Sequence, residues 1–364
     1  MAYKCELTCV PVALHYKEKY TMKLRDLLRI LFSCTLTCSL MATICGCHQS
    51  VQQPTEPTQT KPSQTEPTET DPTAPKTQLR IMTFNVWFKN EESVTIKNTA
   101  ETANVKVSGR LPRLLQMMET EQVDIAGLQE VGPAWIYNFN QTPPERYAFV
   151  GQYTKSTQEA GYILYNRERF SLLAHDYFWL APGMPKEPVK GWDGDHDRMV
   201  NWTVFQEKET GIIFLFCDTH FDNGGAQARL ESAKIVNSWI QEKILQLAQQ
   251  YQVTQVPAFL VGDLNCQPGS QPYQELSLVM TDARKAAQGE TLADSLTSSP
   301  GLTYLADGQA LPENGHFIDH IFFLGPVTVH STKMELTATN LCHYGPYLSD
   351  HNAVFADVTI TNES

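Results

Sequence analysis

The apolar residues of this chain fall into short runs that read as strands, separated by two long stretches with helical spacing. Arg80-Ile-Met-Thr-Phe-Asn-Val-Trp87 reads as a buried strand that opens a domain. Residues 109–121 place Leu111, Leu114, Leu115 and Met118 on one side of a helix. Val123–Leu128 predicts the next strand, Tyr162–Tyr165 and Thr203–Phe205 two short ones, and Gly211–Cys217 a strong one. Ala233, Val236, Ile240 and Ile244 recur at roughly 3.6-residue spacing and predict the longest helix over Gln227–Gln249. Ala258–Val261, Ile318–Leu324 and Ala353–Ile360 complete the strands. Few long helices among many strands exclude a repeated strand–helix unit, and two packed sheets with helices outside fit better. The pattern contains no internal repeat and no glycine-rich nucleotide loop.

Six polar segments stand in or just past these runs: Thr83-Phe84-Asn85, Gln129-Glu130, Thr219-His220-Phe221-Asp222, Gly262-Asp263-Leu264-Asn265, Ile318-Asp319-His320 and Ser349-Asp350-His351-Asn352. Together they supply the carboxylates, amides and imidazoles needed to hold a hard divalent cation and cleave a phosphate ester. Glu130 sits where a strand would deliver a metal ligand, although a solvated loop acid has the same appearance. Asn85 interrupts an apolar strand, so it is either satisfied by backbone or a neutral oxygen ligand. Asp263 and Asn265 are two residues apart, which puts both on one side of an extended chain. Asp263 can take the metal, and Asn265 can donate to a phosphoryl oxygen or the attacking water. An Asx-turn is the competing explanation for that pair, and Gly262 permits a close approach of backbone. His220 can steady a phosphate oxygen or supply a proton, or it is structural; Asp222 can orient a neighbour.

Asp350 and His351 are adjacent and point to opposite sides of extended backbone, so one can bind metal while the other faces substrate. A histidine base needs an acid to hold its tautomer, a part Asp319 could play, with His320 then pointing away. Arg198 and Arg229 are the best phosphate or carboxylate partners among few arginines. Trp87, Trp192, Trp202 and Tyr347 either shape a substrate cleft or pack in the core, and the acidic loop Asp193–Asp197 is either a second cation site or a solvated loop.

Charge narrows the partners. The whole chain is −12; residues 1–78 hold eight Lys/Arg against seven Asp/Glu, which leaves −13 on residues 79–364. That is a poor starting point for non-specific DNA binding, and a small ester or lipid headgroup fits better. Six of nine cysteines (5, 9, 34, 38, 45, 47) precede the domain, and Cys217, Cys266 and Cys342 are too few and too scattered for a disulfide framework. Residues 22–47 read as an export leader: a basic start at Met22–Arg29, an apolar stretch Ile30–Ile44, then Ile44-Cys45-Gly46-Cys47, close to a bacterial lipobox. Met22 is then the expected true start. Residues 48–78 are rich in Thr, Pro and Glu and read as an extended spacer. The expectation is a leader over 1–47, a linker over 48–78 and a catalytic domain over 79–362. The protein would be anchored by lipid on the outer side of the bacterial cell membrane; secretion and a retained membrane anchor are the alternatives.

These segments, in this order, resemble the endonuclease/exonuclease/phosphatase superfamily, which includes DNase I, apurinic endonucleases, neutral sphingomyelinases and inositol-polyphosphate 5-phosphatases. The resemblance covers about residues 79–362 and looks like that of exported bacterial members. It implies an α+β, four-layer α/β/β/α sandwich, with two packed, mainly antiparallel sheets and helices outside. It also implies Mg2+, or Mn2+ or Ca2+, held mainly by Glu130 with help from Asn85 and Asp350. His351 with Asp319 would activate water or bind phosphate, Asp263 would orient or deprotonate the nucleophile, and Asn265 and His220 would stabilise the transition state. Arg198, Arg229, Trp202 and Asp222 would contact substrate. The implied activity is metal-dependent hydrolysis of a phosphodiester or phosphomonoester by a monomer, with a DNA or RNA nuclease and a non-catalytic surface module as alternatives.

Overall fold

The computed structural model describes residues 74–153, 160–292, 296–299, 301–306, 309–311 and 315–361. The leader, and the linker up to residue 73, lie outside the described residues. The strands are β1 (Lys76–Asn85), β2 (Val94–Thr95), β3 (Thr102–Ala103), β4 (Ile125–Gln129), β5 (Tyr147–Tyr153), β6 (Ala160–Asn166), β7 (Phe170–Trp179), β8 (Met199–Glu207), β9 (Ile213–His220), β10 (Ala258–Asp263), β11 (Thr281–Asp282), β12 (Asp319–Leu324), β13 (Val327–Glu335) and β14 (Ala353–Thr361). The helices are α1 (Val107–Thr120), α2 (Pro133–Gln141), α3 (Ala226–Tyr251), α4 (Gln271–Leu276) and α5 (Ala283–Ala286). The first strand thus begins at Lys76, inside the stretch read as linker.

Two six-stranded sheets form, in the orders β13-β14-β1-β4-β6-β5 and β11-β12-β10-β9-β8-β7. Each contains one parallel pair, β1/β4 and β9/β10, among antiparallel neighbours. Three apolar layers follow from strand alternation. Ile81, Ile125, Phe214, Phe216, Phe259, Val261, Ile321 and Val354 fill the space between the sheets. Met82, Phe84, Ala126 and Leu128 point the other way and pack with Leu111, Leu114, Met118 and Trp135 of α1 and α2. Leu215, Cys217, Ala258, Leu260 and Phe322 cover the outer side of the second sheet with Ala233, Val236 and Ile240 of α3 and Tyr273 of α4. This is the four-layer sandwich, with helices on both outer faces.

Candidate active site

The inward ladder of each central strand ends in a polar residue. Along β1 it runs Leu79, Ile81, Thr83, Asn85; along β9, Phe214, Phe216, Asp218, His220; along β10, Phe259, Val261, Asp263. On the antiparallel β12 it begins with Asp319, directly opposite Asp263, which also pairs in register with His220. Because β1, β4, β9 and β10 end at the rim where β12 and β14 begin, these polar ends share one edge of the inter-sheet core. Just past the strands the chain turns sharply: Glu130 (φ 58°) and Asn265 (φ 46°) both adopt the left-handed conformation, a strain of about 1–3 kcal/mol each that persists at functional sites.

The histidine at the rim is held between acids. His351 Nδ1 lies 2.9 Å from Asp319 Oδ2, and its Nε2 lies 3.7 Å from Asp263 Oδ2. Burial opposes a charge on His351, yet Asp319, Asp263 and Asp350 outweigh it and hold its pKa well above the ordinary value. Burial, then Asp319, pushes Asp263 up to about 6. Asp263 Oδ2 is the hub: it accepts from Asn85 Nδ2 at 3.1 Å and faces His220 Nε2 at 3.4 Å. Asn265 closes an Asx-turn through its N–H to Asp263 Oδ1, 3.0 Å, while its amide lies 3.1 Å from His220 Nε2, so the turn and the site placement coexist.

Glu130 lies across from this group. Its Oε1 accepts from Asn85 Nδ2 at 3.0 Å and its Oε2 from the Phe88 N–H at 3.2 Å. Asp350 is pushed up to about 7, first by burial and then by Glu130, against the pull of His351 and Arg110. Glu130, Asp263 and His351 line one cavity of about 460 Å3 together with Arg198, His220 and Asn265.

The sequence model of the Endonuclease/Exonuclease/phosphatase family matches residues 82–351. The chain belongs to this family. Among solved structures it is similar to the endonuclease/exonuclease/phosphatase from Bacteroides vulgatus, with 26% identity over 78% of this chain and 99% of that one and a TM-score of 0.59. A mannosyl-6-phosphatase of Bacteroides thetaiotaomicron gives 26% identity over 77% and 99%, with a TM-score of 0.58. The human Nocturnin catalytic domain, at 19% identity over 78% and 95% and a TM-score of 0.54, shares the fold. Comparison with curated proteins gives no match.

Two groups in this family member offer metal ligands. Asp263, Asp319 and His351 each supply a ligand atom, all within 4.8 Å of one another, and could hold an ion on distance alone. Asp319, however, already faces the imidazole of His351. Glu130 and Asp350 form no ion pair with Lys or Arg among the described residues, and Asp350 is raised first by burial and then by the Glu130 carboxylate. Two under-compensated oxygen donors fit a hard divalent cation. Asn85 departs from its expected role: its Oδ1 accepts the Trp87 N–H at 3.0 Å, so its NH2, not its oxygen, faces the carboxylates. The turn at Trp87 (φ 60°) brings that N–H onto the amide oxygen.

Behind both acids lies a residue that the sequence reading passed over. Arg110 is fully buried. It donates to the carbonyls of Val105, Val86, Leu348, Trp87 and Lys89 and stacks 4.9 Å from the Trp135 ring. It thereby ties the turn after Asn85 to the segment that precedes Asp350. Arg110→Met is expected to cost about 3 kcal/mol or more, because five buried carbonyls lose their donor; urea unfolding checks this.

Three expected substrate contacts are placed elsewhere. Trp202 alternates outward on β8 and packs 5.6 Å from Trp239, under Lys243 at 4.1 Å, on the face that meets α3. Arg229 donates to the carbonyls of Asp222 and Asn223 and pins the loop before α3. Asp222 accepts the N–H groups of His196, Gly224 and Gly225, which hold its pKa below the ordinary range despite burial. In the acidic loop, Asp193 accepts the N–H groups of Gln227 and Ala228 and so satisfies donors in the first turn of α3. Trp87 and Tyr347 pack with Ile96, Val105 and Leu302 in a small cluster beside the site. His320 points away, as expected, with Nε2 2.9 Å from the Cys266 carbonyl.

Below the rim, Asp218 is buried between the sheets and accepts from Gln129 Nε2 at 2.6 Å. A Cβ at Gly161 would lie 2.6 Å from its Oδ2, so glycine makes the room. Burial raises its pKa well above the carboxylate range. A folded-state pKa above the unfolded one gives stability that is present at low pH and lost as pH rises through the raised value. Asp218→Asn, which cannot ionise, should therefore gain stability relative to the wild type between about pH 5 and about pH 8, as read by denaturant unfolding at both.

Proposed function

We propose that this protein hydrolyses phosphate esters of small polar molecules with the aid of a divalent cation. The observation that carries this reading is the convergence of Asn85 Nδ2, His220 and His351 on Asp263 Oδ2 within a cavity that Glu130 also lines. Glu130 and Asp350 would hold the cation, which when bound supplies charge to the phosphoryl oxygens. Asp263 takes the proton of the attacking water, and His351, kept charged by Asp319 and Asp263, neutralises a phosphoryl oxygen. A bond forms from water to phosphorus as the ester P–O bond breaks; the leaving oxygen takes a proton from bulk water, and Asp263 returns the proton it took to solvent after product leaves.

The wider cavity supports the substrate class. Its volume of about 460 Å3 suits one ring and its phosphate, and Phe88, His196, Asn223, Ser298 and His316 line it, with Arg198 the one permanent cation among the described lining residues. Neutral donors beside one aromatic ring suit a hydroxyl-rich leaving group such as a sugar, in line with the mannosyl-6-phosphatase neighbour. The domain's net charge is ill-suited to a polyanion. Residues 22–47 support an exported, lipid-anchored location.

The test is a panel of hexose phosphates, an aryl phosphomonoester, an aryl phosphodiester, plasmid DNA and RNA, each with Mg2+ and with chelator. Phosphate release from a hexose phosphate should be fastest and should stop with chelator. DNA or RNA cleavage outpacing every small ester would overturn the substrate class.

A further inference from the structure

Arg198 was expected to meet substrate, and it does line the cavity, but its Nη1 lies 3.0 Å from His220 Nδ1. Arginine can only donate. Nδ1 must therefore accept, and the single proton of a neutral imidazole sits on Nε2. That nitrogen faces Asp263 Oδ2 at 3.4 Å and the cavity. One proton of the Asn265 amide goes to the Phe221 carbonyl at 2.9 Å; the nitrogen also lies 3.1 Å from Nε2, where its second proton finds no free lone pair because Nδ1 is already the acceptor. We propose that Arg198 is a positioning residue: it locks His220 as the neutral Nε2–H tautomer and so aims one fixed donor at a phosphoryl oxygen beside Asp263.

Geometry and charge agree. Arg198 is 5% exposed and immediately precedes β8, whose start pairs with the end of β9 that carries His220. Burial, then Arg198, His351 and His196, lowers the pKa of His220 well below the ordinary value. A free histidine near neutral pH would exchange between two tautomers and a charged form. A preorganised donor needs one of the three, and a buried cation on Nδ1 selects it.

The catalytic consequence rests on the phosphoester reading, but the tautomer does not, so two measurements separate them. Nitrogen NMR of the full-length, histidine-labelled protein without substrate should show His220 neutral, with its proton on Nε2. An Nδ1–H tautomer or a charged ring would overturn the proposal, whatever the substrate is. In kinetics, Arg198→Met should lower kcat about 10²-fold with KM changed by less than about threefold. Arg198→Lys, which restores a donor, should recover about tenfold of that loss. Combined with His220→Ala, Arg198→Met should add no further loss. A raised KM with unchanged kcat, or fully multiplicative losses, would show that Arg198 contacts substrate instead.

Discussion

His351→Gln is expected to lower kcat by about 10²–10⁴-fold while the protein stays folded. Glutamine can still donate to Asp319, which keeps that buried carboxylate hydrogen-bonded and limits the cost of an orphaned charge. What it cannot do is carry a proton and a positive charge between Asp319 and Asp263, where His351 Nδ1 lies 2.9 Å from Asp319 and Nε2 lies 3.7 Å from Asp263. Asp319→Asn should reproduce most of the loss, because the imidazole then loses both its orientation and the main source of its raised pKa. The double variant should be little worse than either single one, since the two residues act as a unit. Steady-state rates on the best substrate, with a thermal melt of each variant as the folding control, decide it.

Glu130→Gln is expected to weaken Mg2+ or Mn2+ binding by at least about 10–100-fold and to abolish turnover at ordinary metal concentrations. The substitution keeps shape and the acceptor for the Phe88 N–H, yet removes the charge that, with Asp350, leaves this side of the rim under-compensated. It should also relieve Asp350, whose pKa Glu130 helps to raise. Mn2+ titration calorimetry reads the affinity without any substrate. Equal affinity in wild type and Glu130→Gln would move the cation away from Glu130. Equal turnover with and without chelator would remove the cation from the reaction.

The sheets' centres were legible because their strands are apolar on both sides. β1, β4, β9, β10, β12 and β14 all lie where runs of Ile, Val, Leu and Phe predicted them, within a few residues. β5, β7 and β13 were missed because they lie at sheet edges; β7 and β13 mix buried, half-buried and exposed positions without a clean alternation, each has a register shift, and β7 exposes both His175 and Asp176. The polar ends of the central strands were legible for the same reason: a carboxylate or imidazole that closes an apolar run stands out. Arg198, Arg229, Trp202 and Asp222 show the limit. Sequence reveals that a cation or a ring is near the motifs, but not which carbonyl, imidazole or helix face it turns to. Arg110 left no signal, since an arginine within a helical pattern reads as solvent-exposed until five carbonyls are seen around it. His196, Ser298 and His316 reach the cavity from loops, where no periodicity marks them.

The central claim is that the rim assembles one cation site beside an acid–imidazole pair. Anomalous diffraction from crystals grown with Mn2+ tests it most directly. The ion should lie against the carboxylates of Glu130 and Asp350, with His351 still turned to Asp319. An ion seated instead among Asp263, Asp319 and His351, or no ion near Glu130 at saturating Mn2+, would contradict the account.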